Sequence, residues 1–194
     1  MPDGGPLVLV SNRGPVTYQE DGSVKRGTGG LATALIGLAS HRDAVWIASA
    51  MTEQDAEKAA EHDGRAFGVG APHGEAFQVR FVSSDPQAYD RFYSVFANPM
   101  LWFIQHYLWD QSNAPDIRRH EVEAFEHGYK AVNDDLARAV LEEIEGLDAP
   151  VVMVHDYHLY TLPAIVRAAR PDVFLHHFIP VSYTHLTLPT TPYV

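Results

Sequence analysis

The apolar run Val151-Val152-Met153-Val154 passes directly into His155-Asp156-Tyr157-His158. That junction constrains the fold more than any other feature of the chain. A short, continuous apolar run of this kind reads as a strand buried on both faces, which belongs to a parallel sheet covered by helices. In open α/β sheets, ligands bind outside the carboxyl ends of such strands. His155 and Asp156 fall at that edge. A second run, Leu7-Val8-Leu9-Val10, ends in Ser11-Asn12-Arg13. The two tips offer a guanidinium, a carboxylate and imidazoles to one crevice, chemistry that suits a small anionic ligand rich in hydroxyl groups.

The rest of the chain alternates in the same way. Residues 7–12 read as a strand. Val16–Tyr18 and Val24–Arg26 flank Asp21-Gly22, a hairpin signal. Gly27-Thr28-Gly29-Gly30 precedes a helical stretch from Leu31 to Ala39, and Ala44–Ser49 is a further strand. Thr52–His62 is a polar helix opened by Thr52, with Asp55 three residues on as an approximate capping pair. Phe77–Val82 reads as a strand. A long helix starts at Pro115-Asp116 and carries Ile117, Val122, Phe125, Tyr129, Val132, Leu136, Val140 and Ile144 at spacings of three to five before Gly146 ends it. A helix from Leu159 to Ala169 stops at Arg170-Pro171, and Phe174–Ile179 is a last strand. The pattern predicts an α/β, Rossmann-like, mainly parallel sheet with helices on both faces.

Composition narrows the partners. At 194 residues, with 46% hydrophobic and 20% charged residues, the chain is long enough for a substantial core. A formal charge of −11 with no basic stripe argues against nucleic acid, while leaving room for a small phosphorylated ligand. The chain has no cysteine, so disulfides and thiolate metal sites are excluded. No apolar run approaches a membrane span, and Met1 to Gly5 carry no signal-peptide pattern. The expectation is a cytoplasmic protein without a membrane partner. Residues 180–194, rich in proline and threonine and without helical period, follow a strand that should lead into another βα unit. They are expected to form a non-native or disordered tail beyond a domain of residues 1–179.

Several residues are candidates for chemistry. Arg13 can grip a phosphate with parallel hydrogen bonds, or serve only as a rim ion pair in an acidic protein. Asp156 can accept from sugar hydroxyls, or cap the turn before Leu159; one residue can do both. Gly29 and Gly30 can bring backbone N–H groups to a phosphate at a helix start, though they lack the spacing of the dinucleotide fingerprint. His155 and His158, with His176 and His177, invite a metal reading. Without an H-E-x-x-H pattern or paired acidic ligands, interior or sugar-contacting histidines are the preferred reading. The segment from Pro86 to Trp109 is dense in aromatics and reads mainly as core. Within it, Tyr93 and Trp102 have amphipathic rings suited to packing on a pyranose.

Taken together, Val10-Ser11-Asn12-Arg13, Gly29-Gly30-Leu31, Val45-Trp46, Tyr93 through Asn98 to Leu101-Trp102, and Val154-His155-Asp156-Tyr157-His158-Leu159 resemble the trehalose-6-phosphate synthases. These are retaining glycosyltransferases of the two-Rossmann-domain (GT-B) architecture, and the resemblance covers residues 7–179. It implies the N-terminal domain of an enzyme that joins the glucose of UDP-glucose to glucose 6-phosphate, needing no metal or other cofactor. It implies that Arg13 contacts the acceptor phosphate and that Tyr93, Trp102 and Asp156 are acceptor-side contacts. Gly29 and Gly30 match the pair that approaches the donor's phosphates. Trp46, His155 and His158 match motif positions without an assigned catalytic step.

The resemblance has departures. The family usually carries a second tryptophan three residues after the one matching Trp46, where this chain has Ser49. It continues past Ile179 with a histidine where this chain has Pro180. The family's C-terminal domain, which supplies the donor contacts, has no counterpart in the sequence. These departures imply an inactive fragment, with the full-length form open to homo-oligomerisation. Three alternatives stand beside that reading. One is a glucosyltransferase with another phosphorylated acceptor such as glycerol 3-phosphate. The others are a non-catalytic sugar-phosphate-binding half-domain and a metal-dependent hydrolase built on the four histidines.

Overall fold

The computed structural model describes residues 6–27, 35–36, 44–70, 76–106 and 117–179. Six strands form one sheet: β1 (Leu7–Ser11), β4 (Ala44–Ser49), β5 (Phe67–Gly70), β6 (Ala76–Val82), β7 (Val151–His155) and β8 (Phe174–Phe178). Their order is β5-β6-β4-β1-β7-β8, parallel throughout except for β5, which pairs antiparallel with β6 at one edge. β2 (Val16–Tyr18) and β3 (Val24–Arg26) make a separate antiparallel hairpin, as predicted. Its loop runs from Gln19 to Ser23, with Gly22 at φ +76°, where a side chain would be strained.

Alternation along the central strands divides the core in two. Val8, Val10, Ile47, Val152 and Val154 point to one face, and Leu7, Leu9, Trp46, Ala48 and Val151 to the other. The first face is covered by α2 (Pro86–Asp90) and its π-helical continuation π1 (Arg91–Trp102), which runs on into α3 (Phe103–Gln105). The same face takes π2 (Phe125–Tyr129), which follows directly on α4 (Arg119–Ala124), together with α5 (Lys130–Glu143) and α6 (Leu162–Ala169). The second face packs on α1 (Glu53–Glu61) and on Leu35 and Ile36. Period two in the strands and period near four in the helices thus meet in one sandwich of layers.

The local signals act as expected at several ends. Thr52 caps α1, accepting from Asp55 N at 3.0 Å, and the buried Asp55 carboxylate accepts in return from Thr52 N at 3.3 Å and Met51 N at 3.0 Å. The strand over 174–179 and the strand over 151–154 lie where predicted, within one residue. The aromatic segment is mixed: Phe92, Ala97 and Met100 are buried, whereas Trp102 is 41% exposed. Pro99 lies inside π1, where the wider turn accommodates a residue that has no N–H and would crowd a carbonyl four residues back. The helix predicted from Leu159 begins instead at Leu162, after a 3₁₀ turn at Tyr157–Leu159. Pro163 favours that start, because a proline is tolerated only in the first turn. Gly128 lets π2 touch α2 and π1; a Cβ there would lie 2.5 Å from Arg91 Cβ and 2.7 Å from Phe92 N. The segment 107–116, the tail from 180 and most of the helix predicted over 31–39 lie outside the described residues.

Candidate functional site

The chain leaves β1 toward β4 and β6 on one side and returns through β7 and β8 on the other. The border between β1 and β7 is therefore the point where strand order reverses, the place where open α/β sheets form a ligand crevice. Val10 pairs with Val154, so Arg13 and Asp156 follow three and two residues beyond matched positions on neighbouring strands. The structure brings the two predicted tips together.

At the β1 tip, the Trp46 indole donates to Ser11 Oγ at 2.7 Å, and Ser11 Oγ donates to the carbonyl of Arg13 at 2.6 Å. Trp46 is 1% exposed, so it supports the tip from beneath and does not face a ligand. Above it, the Arg13 guanidinium donates to the Tyr93 hydroxyl at 2.7 Å. That bond, opposed by partial burial, holds Arg13 above its already high ordinary pKa. Tyr93 packs nearly parallel to Tyr89 at 6.0 Å on one side and to His158 at 5.8 Å on the other. Tyr157 continues the ladder, 4.2 Å from His158. Burial raises the Tyr157 phenol and pushes Tyr89 up to about 12, so both are neutral donors near pH 7.

At the β7 tip, Asp156 has φ +81°, a conformation that costs a non-glycine residue about 1–3 kcal/mol and persists only under external constraint. The constraints are visible. Asp156 N donates to Phe178 O at 2.9 Å, and the Asp156 carbonyl lies 3.0 Å from His177 Nε2. Its carboxylate accepts from Tyr157 N at 2.7 Å and stands 3.1 Å from His158 Nδ1. From the helices, the Tyr129 hydroxyl donates to Tyr157 O at 2.6 Å and accepts from Tyr160 N at 2.9 Å. Asn133 is fully buried; its amide donates to Tyr129 O at 2.8 Å and His158 O at 3.0 Å and accepts from Leu162 N at 3.2 Å.

Arg13, Tyr93, His158 and Asp156 are thus one connected group, with a fixed positive charge near one end and an acceptor carboxylate at the other. Such a pair can grip a phosphate and orient the hydroxyls of the sugar that bears it. His155 is 2% exposed with both ring nitrogens unpartnered, and burial, reinforced by His176 and His177, pushes it down to about 4. It is neutral near pH 7. Among the described residues, no group of three or more His, Cys, Asp or Glu side chains is placed to hold a metal ion. Trp102 is not joined to the group; its described ring contact is with His106 at 4.2 Å. Gly29 and Gly30 lie outside the described residues. Sequence reasoning missed Tyr89, Tyr129 and Asn133 as supports. The last two were legible only as polar groups four residues apart on the apolar face of a helix, among Val132, Leu136 and Val140.

Residues 6–190, nearly the whole chain, match the profile of glycosyltransferase family 20. The chain belongs to that family. Similar curated proteins include validamine 7-phosphate valienyltransferase of Streptomyces hygroscopicus subsp. jinggangensis, 26% identical over 98% of this chain and 38% of its own length. The UDP-forming alpha,alpha-trehalose-phosphate synthase 1 of Aspergillus fumigatus is 31% identical over 94% of this chain and 35% of its own length. Across curated relatives of this kind the chain spans 24–39% of their length. Among solved structures, the Burkholderia xenovorans alpha,alpha-trehalose-phosphate synthase in complex with glucose-6-phosphate aligns with TM-score 0.57 and 24% identity, over 90% of this chain and 33% of that one. An E. coli structure described as trehalose-6-phosphate bound with UDP-2-fluoro glucose gives TM-score 0.61 and 22% identity, over 95% and 36%. These likenesses establish the fold, that of the N-terminal domain of a GT-B glycosyltransferase. Within the described residues, no helix is long and apolar enough to cross a membrane.

Proposed function

We propose that this family 20 chain carries the acceptor side of an enzyme that transfers glucose from UDP-glucose to glucose 6-phosphate, giving trehalose 6-phosphate and UDP. The observation that carries the reading is the Arg13 guanidinium held by Tyr93 beside Asp156 at the β1/β7 border. Arg13 binds the acceptor phosphate, Tyr93 fixes the guanidinium beside it through its hydroxyl, and Asp156 accepts from sugar hydroxyls. Trp102 supplies an exposed ring for the same sugar, and Gly29 and Gly30 approach the donor's diphosphate.

In the reaction, the anomeric hydroxyl oxygen of the acceptor bonds to donor C1 on the face from which the diphosphate departs. The C1–O bond to the diphosphate breaks with its electron pair going to the diphosphate, and the acceptor proton passes to a leaving-group oxygen. Positioning and charge stabilisation do the catalysis, so this half contributes orientation rather than a nucleophile. We further propose that the chain by itself does not turn over, because the relatives that share its sequence are two and a half to four times its length.

A purified sample is expected to bind glucose 6-phosphate in calorimetry and to release no UDP from UDP-glucose. Arg13→Gln is expected to weaken that binding at least tenfold, the loss of a charge-assisted contact. Robust turnover by the chain alone would reject its inactivity, and unchanged binding by the Arg13 variant would reject the site. A second reading, a different phosphorylated acceptor, is favoured by the valienyltransferase relative and by Ser49, which stands buried at the β4 tip. A panel of phosphorylated acceptors, glycerol 3-phosphate among them, separates the two on a version that includes a donor domain.

A further inference from the structure

A cavity of about 340 Å³ opens beside Arg13, between the β1 tip, the β2–β3 hairpin and the start of α1. Arg13, Thr17, Gln19, Lys25, Met51 and Thr52 are among its lining residues, and so is Arg26. The chain has 14 Lys and Arg against 25 Asp and Glu, yet among the described residues this cavity is lined by three cations and no carboxylate. In a protein this acidic, such a segregation of charge favours an anionic ligand. The volume falls in the range of small-molecule sites.

The walls are fixed. Gly27 N donates to Pro15 O at 2.7 Å, and a Cβ on Gly27 would lie 2.6 Å from Gly14 O, so the return limb of the hairpin is pressed onto the loop just after Arg13. On the outgoing limb, Tyr18 N donates to Asp55 Oδ1 at 2.8 Å, and Thr52 Oγ1 donates to Tyr18 O at 3.0 Å. Thr17 and Lys25 are cross-strand partners and therefore share one face of the ribbon. Among the described contacts, the Arg13 guanidinium has one of its N–H groups engaged, by Tyr93, and the Lys25 ammonium donates to none of the described residues. Two cations with free donors line one pre-formed hollow.

We propose that Lys25, carried on the pinned hairpin, is a second cationic contact for the acceptor's phosphate. With Arg13 it sets the preference for a phosphorylated over an unphosphorylated sugar. This rests on the acceptor-side reading of Arg13 given above and adds the hairpin to that site.

Calorimetric titration of the 194-residue chain with glucose 6-phosphate, glucose, inorganic phosphate and UDP tests it, using Lys25→Gln, Lys25→Arg and Arg13→Gln. Lys25→Gln is expected to weaken glucose 6-phosphate and phosphate about tenfold, and Lys25→Arg to keep both within about threefold of the parent. Glucose and UDP should be indifferent to Lys25, and an unchanged melting temperature shows that the exposed substitution spares the fold. Weakening by Arg13→Gln but not Lys25→Gln overturns the hairpin's role and leaves the acceptor reading intact. Phosphate binding that depends on both residues, with glucose 6-phosphate no tighter than phosphate, keeps the cation pair and rejects the acceptor reading. Dependence of UDP alone on Lys25 overturns the assignment to the acceptor. No binding of either phosphate ligand by the parent chain overturns both.

Discussion

The tips of β1 and β7 lie side by side, yet they are held in different ways. Arg13 is placed from within the sheet, by a relay of Trp46, Ser11 and its own carbonyl. Its side chain is then steadied by a single hydroxyl, that of Tyr93. Asp156 is placed largely from beyond its own strand, by Tyr129 and Asn133 reaching in from the helices to the turn that follows it and by the neighbouring strand β8 on its other flank. The difference follows from backbone conformation. Ser11-Asn12-Arg13 leaves its strand without positive φ and needs little help, whereas Asp156 at φ +81° must be over-determined to persist. A strand end that bends sharply toward a ligand has to borrow rigidity from its neighbours.

That contrast can be broken. Asn133→Ala removes three hydrogen bonds and strands His158 O and Leu162 N in a buried place, so a loss of about 3–4 kcal/mol in chemical denaturation is expected. Should it cost no more than a change at the β1 tip, the proposed asymmetry is wrong.

Acid should act on the β7 tip next. The neutral, buried His155 titrates at about 4 in the folded chain against an ordinary 6.5. Between those values the unfolded chain binds the proton and the folded chain does not, so stability is full above about pH 6.5 and falls as pH drops toward 4. The loss is on the order of 3 kcal/mol. Denaturant melts of His155→Leu against the parent check it: the variant should lack that part of the slope.

The smallest effect is expected at β1. Ser11→Ala leaves the buried Trp46 indole unpartnered, costing about 1–2 kcal/mol in thermal melts. It should also weaken glucose 6-phosphate binding only a few fold, because the Arg13–Tyr93 bond remains.

The fold was legible where one physical signal dominated. Apolar runs marked β1, β4, β6, β7 and β8, and the Thr52–Asp55 cap marked the start of α1. β5 was missed because its four residues, Phe67-Gly68-Val69-Gly70, carry two glycines and too few apolar side chains to register. The π-helical turns at Arg91–Trp102 and Phe125–Tyr129 were not legible, since the sequence period there does not differ from that of an ordinary helix. In the site, Arg13 and Asp156 could be read because strand tips announce themselves. Tyr129 and Asn133 could not, because apart from the local Asn133–Tyr129 bond their partners are backbone atoms more than 24 residues away that only the tertiary fold brings near.

Gly128 carries a last consequence. With no room for even a methyl group between π2 and Arg91 or Phe92, the helix bearing Tyr93 and the helix bearing Tyr129 and Asn133 are interlocked. Neither can slide or hinge past the other, so the aromatic wall and the clamp on Asp156 travel as one block. Any ligand that entered this slot would meet a mould already set, and the ordering it must suffer would be mostly its own.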